Sequence, residues 1–279
     1  FNDVNNQKAE VILYRPTGES GDFEKANFPI GVEGGKTSTC PTQNLMEAYD
    51  MKDGTPFVWN NQSNPYDNRD PRMKYTIVCN EMKWPVDPVE IWEGGTNGLP
   101  LQNATTTGYY LKKYVNNTIS FEAGSTVTKK QHNWVLFRYG EILLNYAEAM
   151  INAFHDPNYK DAVYNMSARE AVNQIRGRTN ISLPGFPSDI TEKDFVKRLK
   201  NERRVELAFE GHRFWDVRRW KELGQTANIY GVKITKNNEV ISYEKFLLET
   251  RAVTDNMYFY PIPNTERFKN PNLGQNPGW

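Results

Sequence analysis

From Trp134 onward, apolar residues recur at intervals of three and four: Val135, Leu136, Tyr139, Ile142, Leu143, Tyr146, Ala147, Met150 and Ile151. That spacing predicts a long amphipathic helix starting near residue 134. A second helix is expected from Ser167, with Ala171, Val172 and Ile175 on one face and Gly177 at its end. Thr191 then caps a third, which carries Phe195, Leu199, Val205, Leu207 and Phe209. Gly211 interrupts it, and Phe214, Trp215, Val217 and Trp220 continue a fourth up to Gly224. Before residue 130 the pattern is irregular. Strand-like pieces at Ala9 to Tyr14, Tyr75 to Cys79 and Tyr109 to Val115 are separated by Gly, Pro and Asn clusters, and one short helix is expected from Thr42 to Tyr49, stopped by Lys52-Asp53-Gly54. After Gly224, strand candidates lie around Tyr230 to Ile234 and Tyr258 to Ile262, followed by a tail whose Pro and Asn content argues against regular structure.

The chain therefore divides into an irregular region (1–130) that is the candidate ligand-proximal surface, two helical hairpins (131–224), and a stretch of loops and short strands (225–279), expected to form one domain. The fold class expected is mainly α: tetratricopeptide-like helical hairpins with extensive loops and a few short β-strands. One such hairpin cannot bury its own apolar face and needs neighbours.

Composition narrows the function. The 279 residues hold 34 Lys+Arg and 34 Asp+Glu, so the net charge is zero and there is no overall basic field for nucleic acid. Hydrophobic residues make up 38%, mean hydropathy is −0.74, and no apolar run reaches the roughly 18 residues a membrane-spanning helix needs. Against that polarity stand 7 Trp, 15 Tyr and 14 Phe, too many rings for a disordered polymer. The opening Phe1-Asn2-Asp3-Val4 offers no leader from which to read a localisation. Cys40 and Cys79 are compatible with one disulfide or with two free thiols, and they lack the spacing of a zinc site.

The residues from Asn201 to Trp220 read Asn-Glu-Arg-Arg-Val-Glu-Leu-Ala-Phe-Glu-Gly-His-Arg-Phe-Trp-Asp-Val-Arg-Arg-Trp. This run resembles the signature of the SusD/RagB proteins. Four more segments are similar to that family in the same order: Pro41-Thr42-Gln43 to Gly54, Asn68-Arg69-Asp70-Pro71-Arg72, Arg138 to Ala149, and Pro261-Ile262-Pro263 to Trp279. The resemblance implies a non-catalytic lipoprotein on the outer face of the outer membrane in Bacteroidetes. Such a protein captures an oligosaccharide or other nutrient and delivers it to a SusC-like TonB-dependent transporter barrel. Family members run to nearly twice this length, and the matched segments fall in their C-terminal half. The resemblance thus implies a C-terminal portion, with the lipid anchor and further hairpins preceding Phe1.

Glu202, Glu206 and Glu210 are spaced by four and would share one helical face. Carboxylates stacked on one side cannot flank a glycosidic bond as acid and nucleophile, so a structural network with Arg198, Arg203, Arg213, Arg218 and Arg219 is the expectation. The resemblance agrees that Glu202, Arg203, Arg204, Glu206, Glu210 and Arg213 belong to the scaffold. His132, His155 and His212 are not at ligand spacing, and Asp53, Asp67, Asp70, Asp87 and Glu90 do not form a calcium loop, so no metal and no cofactor is expected. The mechanistic nucleotide and hydrolase motifs are missing from the sequence. Trp134, Trp215 and Trp220 sit on apolar faces and are expected in the core. Trp84 and Trp92, with Trp59 and Tyr66 as weaker candidates, lie in polar loops, where a ring can stack on a sugar's C–H face while amides bond its hydroxyls. The plainer reading tucks those rings onto the scaffold, and it is favoured for Tyr109 and Tyr110, whose strand-like setting should bury one of the two. A peptide-binding module and, more remotely, a glycoside hydrolase are the alternatives.

Overall fold

The computed structural model describes residues 10–61, 64–122 and 128–279. Of the first strand candidate, Ala9 lies outside these and Glu10 is a turn; Val11 to Tyr14 fall in β1 (Val11–Ser20). A short helix α1 (Asp22–Asn27) comes next. The helix expected from Thr42 to Tyr49 is the shorter α2 (Gln43–Met46), capped by Thr42, whose side chain accepts the Leu45 N–H. Asp70 caps α3 (Pro71–Thr76) by accepting the Arg72 N–H at 2.9 Å, and Pro71 occupies the first turn, where its missing donor costs nothing. The chain then enters β2 (Ile77–Val78), paired antiparallel with β3 (Tyr110–Leu111). The expected strand at Tyr75 to Cys79 is thus a helix end plus two strand residues.

The long helix expected from residue 134 starts later. Residues Lys130–Arg138 form β4, antiparallel to β1 with Tyr14 opposite Val135 and Arg15 opposite Trp134. Helix α4 (Tyr139–Phe154) begins where this strand ends and stops at His155, whose backbone is left-handed (φ 55°). Helix α5 (Ala168–Arg176) opens with a capping box: Ser167 accepts the Glu170 N–H at 3.1 Å while the Glu170 carboxylate accepts the Ser167 N–H at 2.8 Å. Thr191 caps α6 (Glu192–Glu206). Leu143, Leu144, Ala147, Met150 and Ile151 of α4 meet Ala171, Val172 and Ile175 of α5 and Phe195 and Leu199 of α6 in one core. Helix α6 ends at Glu206 because Phe209 and Gly211 turn left-handed, so Glu210 lies beyond the helix. Helix α7 (Arg213–Arg219) turns only Asp216 and Val217 fully inward.

That short inward face leaves Trp215 59% exposed, in contact with Tyr260 and Phe214, so it is not a core residue. Trp134, on β4, and Trp220 are half-buried. β5 (Asn228–Asn237) pairs with β6 (Val240–Thr250) through a two-residue turn at Asn238 and Glu239, both left-handed, as such hairpins require. The second strand therefore falls at 240–250 and not at Tyr258 to Ile262, where Tyr258 ends a single 3₁₀ turn (Asp255–Tyr258) and the residues after it form no strand. The tail is not wholly irregular, since α8 (Asn264–Lys269) forms directly after Pro263.

The second core gathers the loops before residue 130 around Phe28, Met46, Tyr49, Met73, Ile77, Tyr109 and Tyr110, with Val232, Ile234 and Tyr243 of the β5–β6 hairpin. Both Tyr109 and Tyr110 are fully buried, one more than a simple alternation predicts. Cys40 and Cys79 are free thiols, and burial pushes that of Cys79 up to about 12.

Candidate functional site

The carboxylate stack is the electrostatic centre of the molecule. Glu206 accepts from Arg72 at 2.9 Å, Arg138 at 2.8 Å and Arg178 at 2.6 Å. Glu202 is held by Arg176 at 2.7 Å and also by Arg72. Glu210 reaches back to Lys113 at 2.6 Å and Arg138 at 2.7 Å. The countercharges therefore come from distant segments. Of the nearby arginines expected to supply them, Arg203 and Arg219 pair with Asp216, Arg213 donates to Gln225, Arg198 reaches Asp50, and Arg218 lies over the Phe214 ring.

Burial by itself would raise the Glu206 pKa, but Arg138, Arg72 and Arg178 hold it far below the usual carboxylate range. Glu202, beside Arg72 and Arg176, and Glu210, beside Lys113 and Arg138, are lowered against the same burial cost. A carboxylate held ionised in this way has no proton to give a glycosidic oxygen. The lowered values also fix a pH dependence. Unfolded glutamates titrate near ~4.3, so the network's stabilisation is fully present above about pH 5 and is lost as pH falls through the folded-state values. Thermal melts from neutral pH down to about pH 3 should show a steep fall below about pH 4; a melting temperature flat across that range would remove this account.

The four aromatic candidates separate. Trp84 is only 7% exposed and belongs to the loop core, with the Lys112 ammonium 4.9 Å from its ring centroid. Tyr66 is 6% exposed, edge-on to Tyr109 and Tyr243. Both rings are packed into the loop core, Trp84 reaching only the edge of the cavity beside the carboxylate network, so the expectation that these loop rings stand open to stack on a sugar does not hold for Trp84 and Tyr66. Trp92 is half-buried, with Lys236 4.8 Å from its ring. Trp59 is half-buried, edge-on to Phe57 at 6.4 Å, and its indole N–H donates to Asn61.

Two concave surfaces adjoin the carboxylate network and α6. A cavity of about 480 Å³ lies beside the carboxylate network, lined by Trp84, Tyr75, Lys112, Arg72, Arg138, Arg178 and Glu206. Most of its charges already satisfy one another. The second is a groove of about 460 Å³ between the outer side of α6 and the turn from Glu47 to Phe57. Gly54, left-handed at φ 82°, makes the turn possible, and its carbonyl accepts from Arg198 at 2.9 Å. Pro56, Phe57 and Val196 supply apolar wall; Asn201, Gln225 and several cations supply donors. The Arg69 guanidinium lies 3.7 Å from the Phe57 ring centroid and anchors it. Phe57, Lys193, Lys197 and Lys200 are absent from the sequence-based candidates and Arg204 appears there only as scaffold, although a spacing of four, three and four marks these cations as one helical stripe.

Comparison with known proteins adds a second line of observation. The family model described as the SusD family matches residues 9–279. Two SusD-like proteins of Formosa agariphila are similar to this chain. P2 is 29% identical over 163 residues, covering 56% of the chain and 28% of that protein. P38 is 37% identical over 150 residues, covering 52% and 24%. Among solved structures, a SusD-like protein from Bacteroides fragilis superposes with a TM-score of 0.80 at 26% identity, over 99% of this chain and 56% of that one. A SusD-like carbohydrate-binding protein from the same species gives 0.75 at 25% identity, over 95% and 54%. The matches span just over half of those solved chains and less than a third of the curated relatives.

Proposed function

The chain belongs to the SusD family, and from that premise we propose that it takes part in non-catalytic capture of an extracellular glycan at the outer face of the outer membrane, for delivery to a TonB-dependent transporter barrel. Among the described residues no helix is long and apolar enough to cross a membrane, so in this reading the membrane is reached through a lipid anchor. The observation that carries the reading is the groove beside α6. It combines an apolar wall at Pro56, Phe57 and Val196 with amide and guanidinium donors, and Trp59, outside the lining itself, lies edge-on to Phe57 beside it. Sugars are held by that combination: ring faces against aromatic or apolar walls, hydroxyls against amides and arginines. A solved relative described as carbohydrate-binding supports the same reading.

Calorimetry of the chain against a panel of oligosaccharides and, separately, of peptides tests it. A glycan should bind, and Trp59→Ala should weaken binding several-fold, since a stacked ring contributes about 1 kcal/mol beyond area burial, while the melting temperature stays near that of the parent. Trp92→Ala, at the half-buried indole among the remaining loop candidates, tests whether a second contact lies there. Binding of peptides without any glycan would overturn the reading in favour of a peptide-uptake module.

A further inference from the structure

The groove beside α6 carries a charge imbalance that glycan capture in general does not require. Six cations line it against three carboxylates, in a chain whose net charge is zero. All three carboxylates are already used: Glu47 pairs with Lys245 at 2.7 Å, Glu222 with Lys200 at 2.5 Å, and Asp50 lies between Arg176 and Arg198. Lys193, Lys197, Arg204 and Arg213 form no ion pair among the described residues. Arg204 donates to the Asn44 carbonyl at 2.8 Å and Arg213 to the Gln225 amide oxygen at 2.7 Å, both neutral acceptors.

Two half-buried guanidiniums facing neutral groups are an unusual arrangement, because desolvating a cation is costly unless an anion compensates. Burial, and then the neighbouring charge of Arg213, push the Arg204 pKa down to about 10, against weak support from Tyr49 and Glu47. Burial likewise lowers that of Arg213, with Asp216 and Glu222 opposing. By contrast, the arginines around Glu202 and Glu206 are each met by carboxylates. Lys193 and Lys197, on the next turns of α6 and exposed, extend the positive stripe along the groove.

We propose that this groove takes an acidic oligosaccharide, a chain whose sugars carry carboxylate or sulfate groups. Arg204 and Arg213 hold one acidic substituent, Lys193 and Lys197 attract the neighbouring ones, and Phe57 meets a ring face. Planar guanidiniums match the two-oxygen edge of either anion, and the longitudinal lysine stripe matches a repeating charge. The proposal rests on the glycan-capture reading and narrows its substrate class.

The test compares an oligogalacturonate, a sulfated galactan oligosaccharide, a neutral galactan oligosaccharide of equal length and inorganic sulfate, each titrated into the chain at low and high salt. At least one acidic oligosaccharide should bind about tenfold or more tightly than the neutral one, with affinity falling as salt rises; which of the two binds separates carboxylate from sulfate. Arg204→Gln and Arg213→Gln should each remove most of that preference. Thermal melts check their folding, and a Lys193→Gln/Lys197→Gln variant, altered only at exposed positions, should reduce the preference whatever the arginine variants do to stability. Equal affinity for neutral and acidic chains would overturn this inference and leave glycan capture standing. Failure of every oligosaccharide would overturn both. Acidic chains bound with undiminished affinity by all three variants would place the anion site elsewhere, and inorganic sulfate binding as tightly as the sulfated chain would reduce the groove to a small-anion site.

Discussion

A Glu206→Gln chain should lose about 3–5 kcal/mol of stability, which for a chain of this size lowers the melting temperature by about 10 °C. The shape is conserved, so the loss isolates charge. Gln can still accept at one oxygen, and Arg72 keeps Asp70 and Glu202 while Arg138 keeps Glu10 and Glu210, but each of Arg72, Arg138 and Arg178, the first two buried, loses one ionised partner. Removing one partner of a buried cluster is costly in a way that removing a surface partner is not, because the remaining cations keep their desolvation cost and lose part of the compensating field. Glu239→Gln provides the control: Glu239 pairs with Lys236 at 3.0 Å but is 88% exposed, and its loss should change stability by less than about 1 kcal/mol. Equal melting shifts for the two variants, measured by calorimetry, would show that burial does not amplify the Glu206 interaction.

Trp84→Ala should be nearly as severe, at about 3–5 kcal/mol, the ordinary cost of removing a large ring from a core. The indole sits among the residues that bind the loops before residue 130 into one unit, so the expected phenotype is a lowered denaturation midpoint. Trp59→Ala and Trp92→Ala, whose rings are half-buried, should leave the midpoint within about 1–2 kcal/mol of the parent. A Trp84→Ala chain that unfolds at the parent's midpoint yet binds glycan less well would return that indole to the ligand surface.

The contrast between these tryptophans shows where sequence reading reached its limit. Helices α4, α5 and α6 were legible because their apolar residues recur locally and Ser167 and Thr191 announce their own starts. The strand at Lys130–Arg138 was not, since the threes and fours of α4 run back into it and its partner, β1, lies more than a hundred residues earlier. Trp84 and Trp92 both stand in polar loops with Pro or Gly nearby; what separates them is how those loops fold over each ring, a tertiary fact without local periodicity. The glutamate stack was recognisable as structural, yet its countercharges at Arg72, Arg138, Arg176 and Arg178 are brought in by tertiary folding, and nearby arginines were credited instead. The basic stripe on α6 could have been read directly from its spacing, but a net charge of zero concealed a local excess.

The way Glu206 is wired also sets an order for events during synthesis. Its partners lie 134, 68 and 28 residues upstream, and the Lys113 partner of Glu210 lies 97 residues upstream. A nascent chain therefore presents these four cations before Glu206 and Glu210 emerge, with Asp70 beside Arg72 and Glu10 beside Arg138 and Arg178 already supplied by the earlier chain, and several large loops close when the glutamates follow. Loops of that span slow folding in proportion to their closure entropy. The stack of glutamates thus completes the network last, joining the segments around residues 72, 113, 138 and 178 to the end of α6 once that helix has formed.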